Sequence, residues 1–180
     1  MDFQTLIETR RSIRHYDPEK KVTPEQVKEI IAAAQYAPSW KNLQTSRYYC
    51  VMSEEMLTRL RSECLPEFNA RNSAGASALI VATFVKNCVG FDKETGKPVN
   101  EIGNGWGCYD LGLQNENLVL KAKELGLGTL IMGIRDSEKI RTLLSVPENE
   151  EIVCVIALGC TDAEPDMPKR KALDDIVKFI

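Results

Sequence analysis

Arg10-Arg11-Ser12-Ile13-Arg14 places three guanidiniums and a hydroxyl within five residues near the chain start. Arginine offers five donors in a planar fork that grips phosphate bidentately, and such charge-assisted bonds contribute roughly 1.5 to 3 kcal/mol each when well made. The pentad therefore suits a phosphate. A plainer reading stays open beside it. These residues follow an amphipathic turn set by Phe3, Leu6 and Ile7, where cations complement the dipole at a helix C-terminus and face water.

Two more stretches carry chemical potential. Ala37-Pro38-Ser39-Trp40-Lys41-Asn42-Leu43-Gln44 mixes hydroxyl, amide, amine and indole groups where neither helix nor strand is favoured, so it reads as a loop. Gly128 to Ile134, containing Leu130, Ile131, Met132 and Gly133, is a glycine-bracketed apolar strand or loop that permits close backbone approach.

Other chemistries find little support. The glycines at 126, 128 and 133 miss the dinucleotide fingerprint by spacing, and no G-K-[ST] occurs. His15 is the single histidine and stands next to Arg14, with no nucleophile elbow nearby, so a Ser or Cys nucleophile is not indicated. The cysteines at 50, 64, 88, 108, 154 and 160 form no CxxC, and no metal site is expected. Basic clusters, an amide-rich loop and a glycine-lined apolar wall without an evident acid, base or nucleophile are what a cofactor-driven enzyme presents.

The elements that must position these groups follow from pattern and caps. A chain of 180 residues with no compositional break suits one domain over 1–180. With 43% hydrophobic and 27% charged residues and a formal charge of -3, it is globular in type and lacks the basic face of a nucleic-acid binder. No apolar run reaches the roughly 18 residues of a membrane span, and the Met-Asp-Phe-Gln start lacks a signal pattern, so a cytoplasmic location is expected.

Thr23-Pro24-Glu25-Gln26 supplies a cap, a proline at N1 and a Gln at N3 for a helix that Pro38 limits. Arg47 to Met52 reads as a strand, and Ser53 caps a helix carrying Met56, Leu57 and Leu60. Ala78 to Val85, almost wholly apolar, suits a central strand covered on both faces. Asn87 to Gly105 breaks every period and predicts an exposed excursion, with a lid as one role. Trp106 to Leu125 predicts a long buried helix, whose Gln114, Asn115 and Asn117 need partners. A short capped helix over Ser137 to Leu144 and a buried strand over Glu151 to Gly159 follow. The tail carries Lys169-Arg170-Lys171 and ends in Ile176, Val177, Phe179 and Ile180, which should dock on something.

The order R-R-S-I-R, A-P-S-x-x-N-x-Q, L-G-L-G-T and a late basic pair before L-D-D-I-V resembles the FMN-dependent nitroreductase family over nearly the whole chain. The resemblance implies an α+β fold with a mixed central sheet flanked by helices, forming an intertwined homodimer with FMN sites shared between subunits. It implies an oxidoreductase that moves hydride from NADH or NADPH (NAD or NADP) through flavin N5 to a small electrophilic acceptor by a ping-pong cycle. Nucleic acid and membrane are not expected partners. By residue, Arg10, Arg11 and Ser12 match the segment that holds the phosphate and ribityl chain, and Arg170 matches the basic residue closing on the phosphate. Arg14 matches the cation near the pyrimidine edge. Pro38, Ser39 and Trp40 match the loop laid beside the ring by the partner, with Asn42 and Gln44 as amides of the same motif. Asn69 matches a ring-edge amide, and Leu130, Ile131, Met132 and Gly133 match the strand lining the ring near N5.

Two departures stand out. Asn72 occupies the place where some relatives carry a second cation, and Thr45 replaces the proline that often follows the Gln. Two rival readings remain: a non-catalytic flavin-binding or redox-sensing module, and an oligomeric scaffold whose arginines pair with acidic patches.

Overall fold

A computed structural model describes residues 1–180. Its sheet grows from the most apolar run. Strand β2 (Ala78–Val85) is buried along nearly its whole length, and it lies between β1 (Ser46–Val51) and β4 (Glu150–Cys160). Strand β3 (Leu127–Met132) pairs with the far side of β4, giving the order β1-β2-β4-β3. Every pairing is antiparallel, so the mixed sheet expected from the family resemblance is corrected. The reason lies in the connections: the helical stretches between β1 and β2 and between β3 and β4 bring the chain back in at the end it left, and only the long helix between β2 and β3 carries it to the opposite end of the sheet. Parallel pairing survives only as an isolated bridge between Ser12 and Thr129.

Side-chain alternation along β2 divides the core between the two faces of the sheet. Leu79 and Val81 pack with Leu57, Leu60 and Ile140 from α3 (Glu54–Cys64) and α6 (Ser137–Leu144). Ile80, Ala82 and Phe84 pack with Val27 and Ile30 of α2 (Pro24–Ala34) and with Leu111 and Leu118 of α5 (Gly105–Glu124). The α2 start forms the full capping box, with Thr23 and Gln26 bonding each other's backbone amides. Tyr48 donates toward Gln114 and Asn115 at 3.4 and 3.3 Å, while Asn117 donates to the Ala33 carbonyl at 3.4 Å. The single Tyr48 hydroxyl is thus shared between two buried amide oxygens, and the Asn115 Nδ2 donates to Cys154 Sγ at 3.7 Å.

Several local expectations change. Ser53 stands at the N-cap of α3 but its side chain makes no capping bond, whereas the capped helix expected over Ser137 to Leu144 is present as α6, with Asp136 at its N-cap accepting from Lys139 N at 3.0 Å. Helix α4 (Glu67–Asn72) follows Pro66 in a stretch too short to show a period. Residues 87–104 carry a small hairpin bridge between Phe91 and Pro98, and Trp106 donates from Nε1 to Asn100 at 2.9 Å, so part of this excursion is anchored. The tail after β4 runs exposed, with Leu173, Ile176, Phe179 and Ile180 uncovered in the single chain. No helix is long and apolar enough to cross a membrane.

Candidate functional site

Helix α1 (Phe3–Thr9) ends as the basic pentad begins, and Arg10 N closes its last turn on the Leu6 carbonyl. The next residues leave helical geometry and are stitched across the ends of β3 and β4. Ile13 N donates to the Thr129 carbonyl at 2.8 Å, and Asp17 N donates to the Cys160 carbonyl at 2.9 Å. The Tyr16 hydroxyl reaches back to the Ile13 carbonyl at 3.0 Å, and the Thr161 hydroxyl donates to the His15 carbonyl at 2.8 Å. Burial raises the Tyr16 phenol well above its ordinary range, so it stays a neutral donor.

Ile13 is the apolar pin of this segment. Its side chain seats over Gly128, where a Cβ would lie only 2.8 Å from Ile13 Cγ1 and 2.7 Å from Thr161 Cγ2. Alternation then sends Arg10, Arg11, Ser12 and Arg14 to half-buried or exposed positions beside β3. The ion pairs of the chain are made by other cations, so no carboxylate is in contact with the pentad's guanidiniums. Arg11 donates from one Nη to the Arg10 carbonyl at 2.7 Å, yet its buried Nε has no partner. Such a buried charged donor is costly unless an anion joins it.

Arg10 and Arg11 line a cavity of about 670 Å³ between α1, the end of α5, the start of β3 and residues Thr161 to Met167. That volume falls in the range of roughly 300 to 1,000 Å³ usual for small-ligand sites. Lys123 of α5 adds a cation to the wall, and Asp162, Glu164 and Asp166 add carboxylates. Lys123 was not evident from motif, although its place in the last turn before Gly126 put it beside β3.

The far end of β3 is bare. Leu130 and Met132 point into the core, whereas Ile131 is 48% and Ile134 65% exposed, and Gly133 has open space where a Cβ would stand. Asn69 of α4 meets this end, donating from Nδ2 to the Ile134 carbonyl at 2.8 Å while itself 6% exposed. The pentad, Leu130 to Gly133 and Asn69 thus gather along one sheet edge.

Pro38, Ser39, Trp40, Asn42 and Gln44 do not join them within one chain. Their loop leads into β1, the opposite edge, about 14 Å away across three strand spacings. It contains a 3-10 turn over Trp40–Asn42, and Lys41, Asn42 and Gln44 all adopt positive φ. The Trp40 amide donates to the Asp110 carboxylate of α5 at 2.9 Å, and the Trp40 ring stands 4.9 Å from that of Trp106. Burial raises the Asp110 carboxyl above its usual range, against the lowering effect of that amide. Asp110 is a residue that motif reading missed, although helical period from Leu111 and Leu118 assigns it to the buried face. Arg170 is exposed and bonds only the Pro168 carbonyl at 2.9 Å, so the single chain does not bring it to Arg11.

The fold, an all-antiparallel four-stranded sheet between two helical layers, is shared with solved proteins. A nitroreductase family protein from Clostridium difficile matches 99% of this chain and 98% of its own at 26% identity with a TM-score of 0.79. A provisionally named nitroreductase from Exiguobacterium sibiricum, solved in complex with FMN, matches the fold over 100% of this chain and 98% of its own, with a TM-score of 0.82 and 22% identity.

The sequence model of the nitroreductase family matches residues 7–160, and the chain belongs to that family. Among its relatives, a protein of Archaeoglobus fulgidus provisionally named NADH dehydrogenase/NAD(P)H nitroreductase is 30% identical over 165 residues, covering 89% of this chain and 86% of that protein.

Proposed function

We propose that this protein is an FMN-dependent NAD(P)H oxidoreductase acting as a homodimer. The observation that carries the reading is the Arg10–Arg14 segment, without an ion pair, pinned beside β3, whose end at Ile131 to Ile134 offers a partly apolar, exposed edge with open space at Gly133. The residues fit the group. The FMN phosphate carries roughly -1.5 to -2 charges near neutral pH, and the guanidiniums of Arg10 and Arg11, with the unpartnered Arg11 Nε, are the donors such a charge needs. When bound, FMN supplies hydride acceptance from NADH or NADPH and delivery to an electrophilic acceptor such as a nitroaromatic, a quinone or an activated alkene, in two half-reactions.

The chain's own part in this reading is binding and electrostatics. Arg10, Arg11 and Ser12 would hold the phosphate and ribityl chain, Arg170 would close on the phosphate from the tail, and Arg14 would supply positive charge at the pyrimidine edge. Asn69 would orient the ring edge, and Leu130, Ile131, Met132 and Gly133 would line the ring, with Gly133 allowing its amide to approach. Pro38, Ser39, Trp40, Asn42 and Gln44 would come from a second copy. The separation of loop and pentad on opposite sheet edges supports that arrangement, as do the uncovered apolar side chains of the tail.

The visible spectrum of the purified protein tests the reading. A yellow protein that bleaches under anaerobic NADH or NADPH and then reduces an added acceptor is the expected result. A colourless protein that fails to take up FMN refutes it. A yellow protein inert to both nucleotides would leave the flavin module without turnover. Sedimentation should give the mass of a dimer, and a monomer that binds FMN stoichiometrically would remove the shared site.

A further inference from the structure

We infer that Asp110 is a positioning residue for the 38–44 loop, and that with the Trp40–Trp106 pair it latches this loop in the shape presented to the ring of a second copy. The loop cannot hold itself. Lys41, Asn42 and Gln44 adopt φ of 48, 55 and 50°, a left-handed region that side chains with a Cβ visit only at a cost. Three such residues within four positions persist only where surrounding contacts overdetermine them.

Few contacts do so. Within the loop, Gln44 N donates to Ser39 Oγ at 3.3 Å, and Asn42 N and Leu43 N close the 3-10 turn. From outside, the Trp40 amide reaches Asp110 Oδ2 at 2.9 Å, and Asp110 is 3% exposed in the second turn of the long core helix. A carboxylate at such a position costs desolvation, so an apolar residue would serve packing better. The bond to the Trp40 amide offsets part of that cost. The Trp40 ring lies 4.9 Å from Trp106 at 55°, and Trp106 in turn stands 5.9 Å from Tyr109, itself 59% exposed. The latch therefore ties the loop to one face of α5 through an ion-dipole bond and an indole pair, and it presents Ser39 and Trp40 in a fixed register.

This inference rests on the FMN reading for its consequence in catalysis, but the latch itself can be read without flavin. Trp40 and Trp106 are the two tryptophans of the chain, so the indole-indole exciton signal in circular dichroism reports their seating alone. Asp110→Ala should abolish that signal in flavin-free protein, and in flavin-loaded protein should raise the acceptor KM about tenfold or more while kcat changes less. Asp110→Asn keeps an oxygen acceptor for the Trp40 amide and should restore both. If Asp110→Ala does not fold, Asp110→Glu carries the test, since one added methylene displaces the acceptor and should weaken the signal and raise KM where Asn does not. An unchanged exciton signal, or a KM within twofold of the parent, overturns the latch. If the parent protein takes up no FMN, the functional reading fails while the exciton comparison still decides on the latch.

Discussion

Gly128 and Gly133 lie at the two ends of one strand segment, and the same substitution at each should have opposite signatures. At Gly128 an added Cβ would stand 2.7 Å from Thr161 Cγ2 and 2.8 Å from Ile13 Cγ1, well inside the roughly 3.5 to 4.0 Å of ordinary carbon contact. Both neighbours are what holds the basic segment: Ile13 through its amide on Thr129, and Thr161 through its hydroxyl on the His15 carbonyl. Overpacking of this kind costs about 1 to 3 kcal/mol, and the reduced freedom of the unfolded chain returns about 0.4 to 1 kcal/mol. A net loss of about 1 to 2 kcal/mol corresponds to a Tm lowered by about 2 to 8 °C in a domain of this size. At Gly133 nothing lies within 4 Å of the added Cβ, so Gly133→Ala should leave the flavin-stripped Tm unchanged or slightly raised. It should instead weaken FMN binding about tenfold by crowding the ring. Thermal melts of stripped protein and flavin fluorescence titration separate the two effects. A Gly128→Ala protein that melts with the parent, or a Gly133→Ala protein that melts below it, refutes the packing argument.

Arg11→Ala should cost little in flavin-stripped protein, because the Arg11 Nε is buried without a partner there, yet it should weaken FMN about 10- to 100-fold; equal affinity in a fluorescence titration would remove Arg11 from the phosphate site. Leu118→Ala, at a fully buried position of α5, should destabilise by about 2 to 5 kcal/mol in urea denaturation, and a loss under 1 kcal/mol would contradict the packing of α5 on the sheet. Asp110 has a carboxyl raised by burial, so its folded form holds the proton to higher pH than its unfolded form. Its contribution therefore favours folding in acid and turns unfavourable as the pH rises through its folded value. Asp110→Asn should accordingly be as stable as or more stable than the parent at neutral pH, with the difference closing in acid; a difference that grows on acidification would reverse the assignment.

Much of the scaffold was legible because burial leaves a period. The unbroken Ala78–Val85 run became the central strand, and the Thr23-Pro24-Glu25-Gln26 box opened α2 as its residue types require. Gly126, at φ 74°, ended α5 where a left-handed residue is needed. Strand direction was not legible, because periodicity records which face is buried and not which way a neighbour runs. The six residues of α4 were too few for a helical period, and the caps at Ser53 and Asp136 turned on side-chain geometry that neighbouring Ser and Asp types share equally. Of the candidate site, the arginines and the loop were visible as motifs. Asp110 and Lys123 were not, because each lies in a helix whose pattern is dominated by its apolar neighbours, and only the third dimension sets them against Trp40 and the Arg10–Arg11 cavity.

The stitching of residues 12–17 onto Thr129, Cys160 and Thr161 sets a temporal order during biosynthesis. The arginines leave the ribosome well before β3 and β4 and acquire their anchors only after more than a hundred further residues have been made, since loop closure over such distances precedes any reward from contact. A nascent chain stalled before β3 would carry these guanidiniums unanchored, with no preorganised grip on any mononucleotide. On the FMN reading, capture would therefore require chains that already carry β3 and β4, and products truncated before these strands should neither sequester flavin nor compete for it.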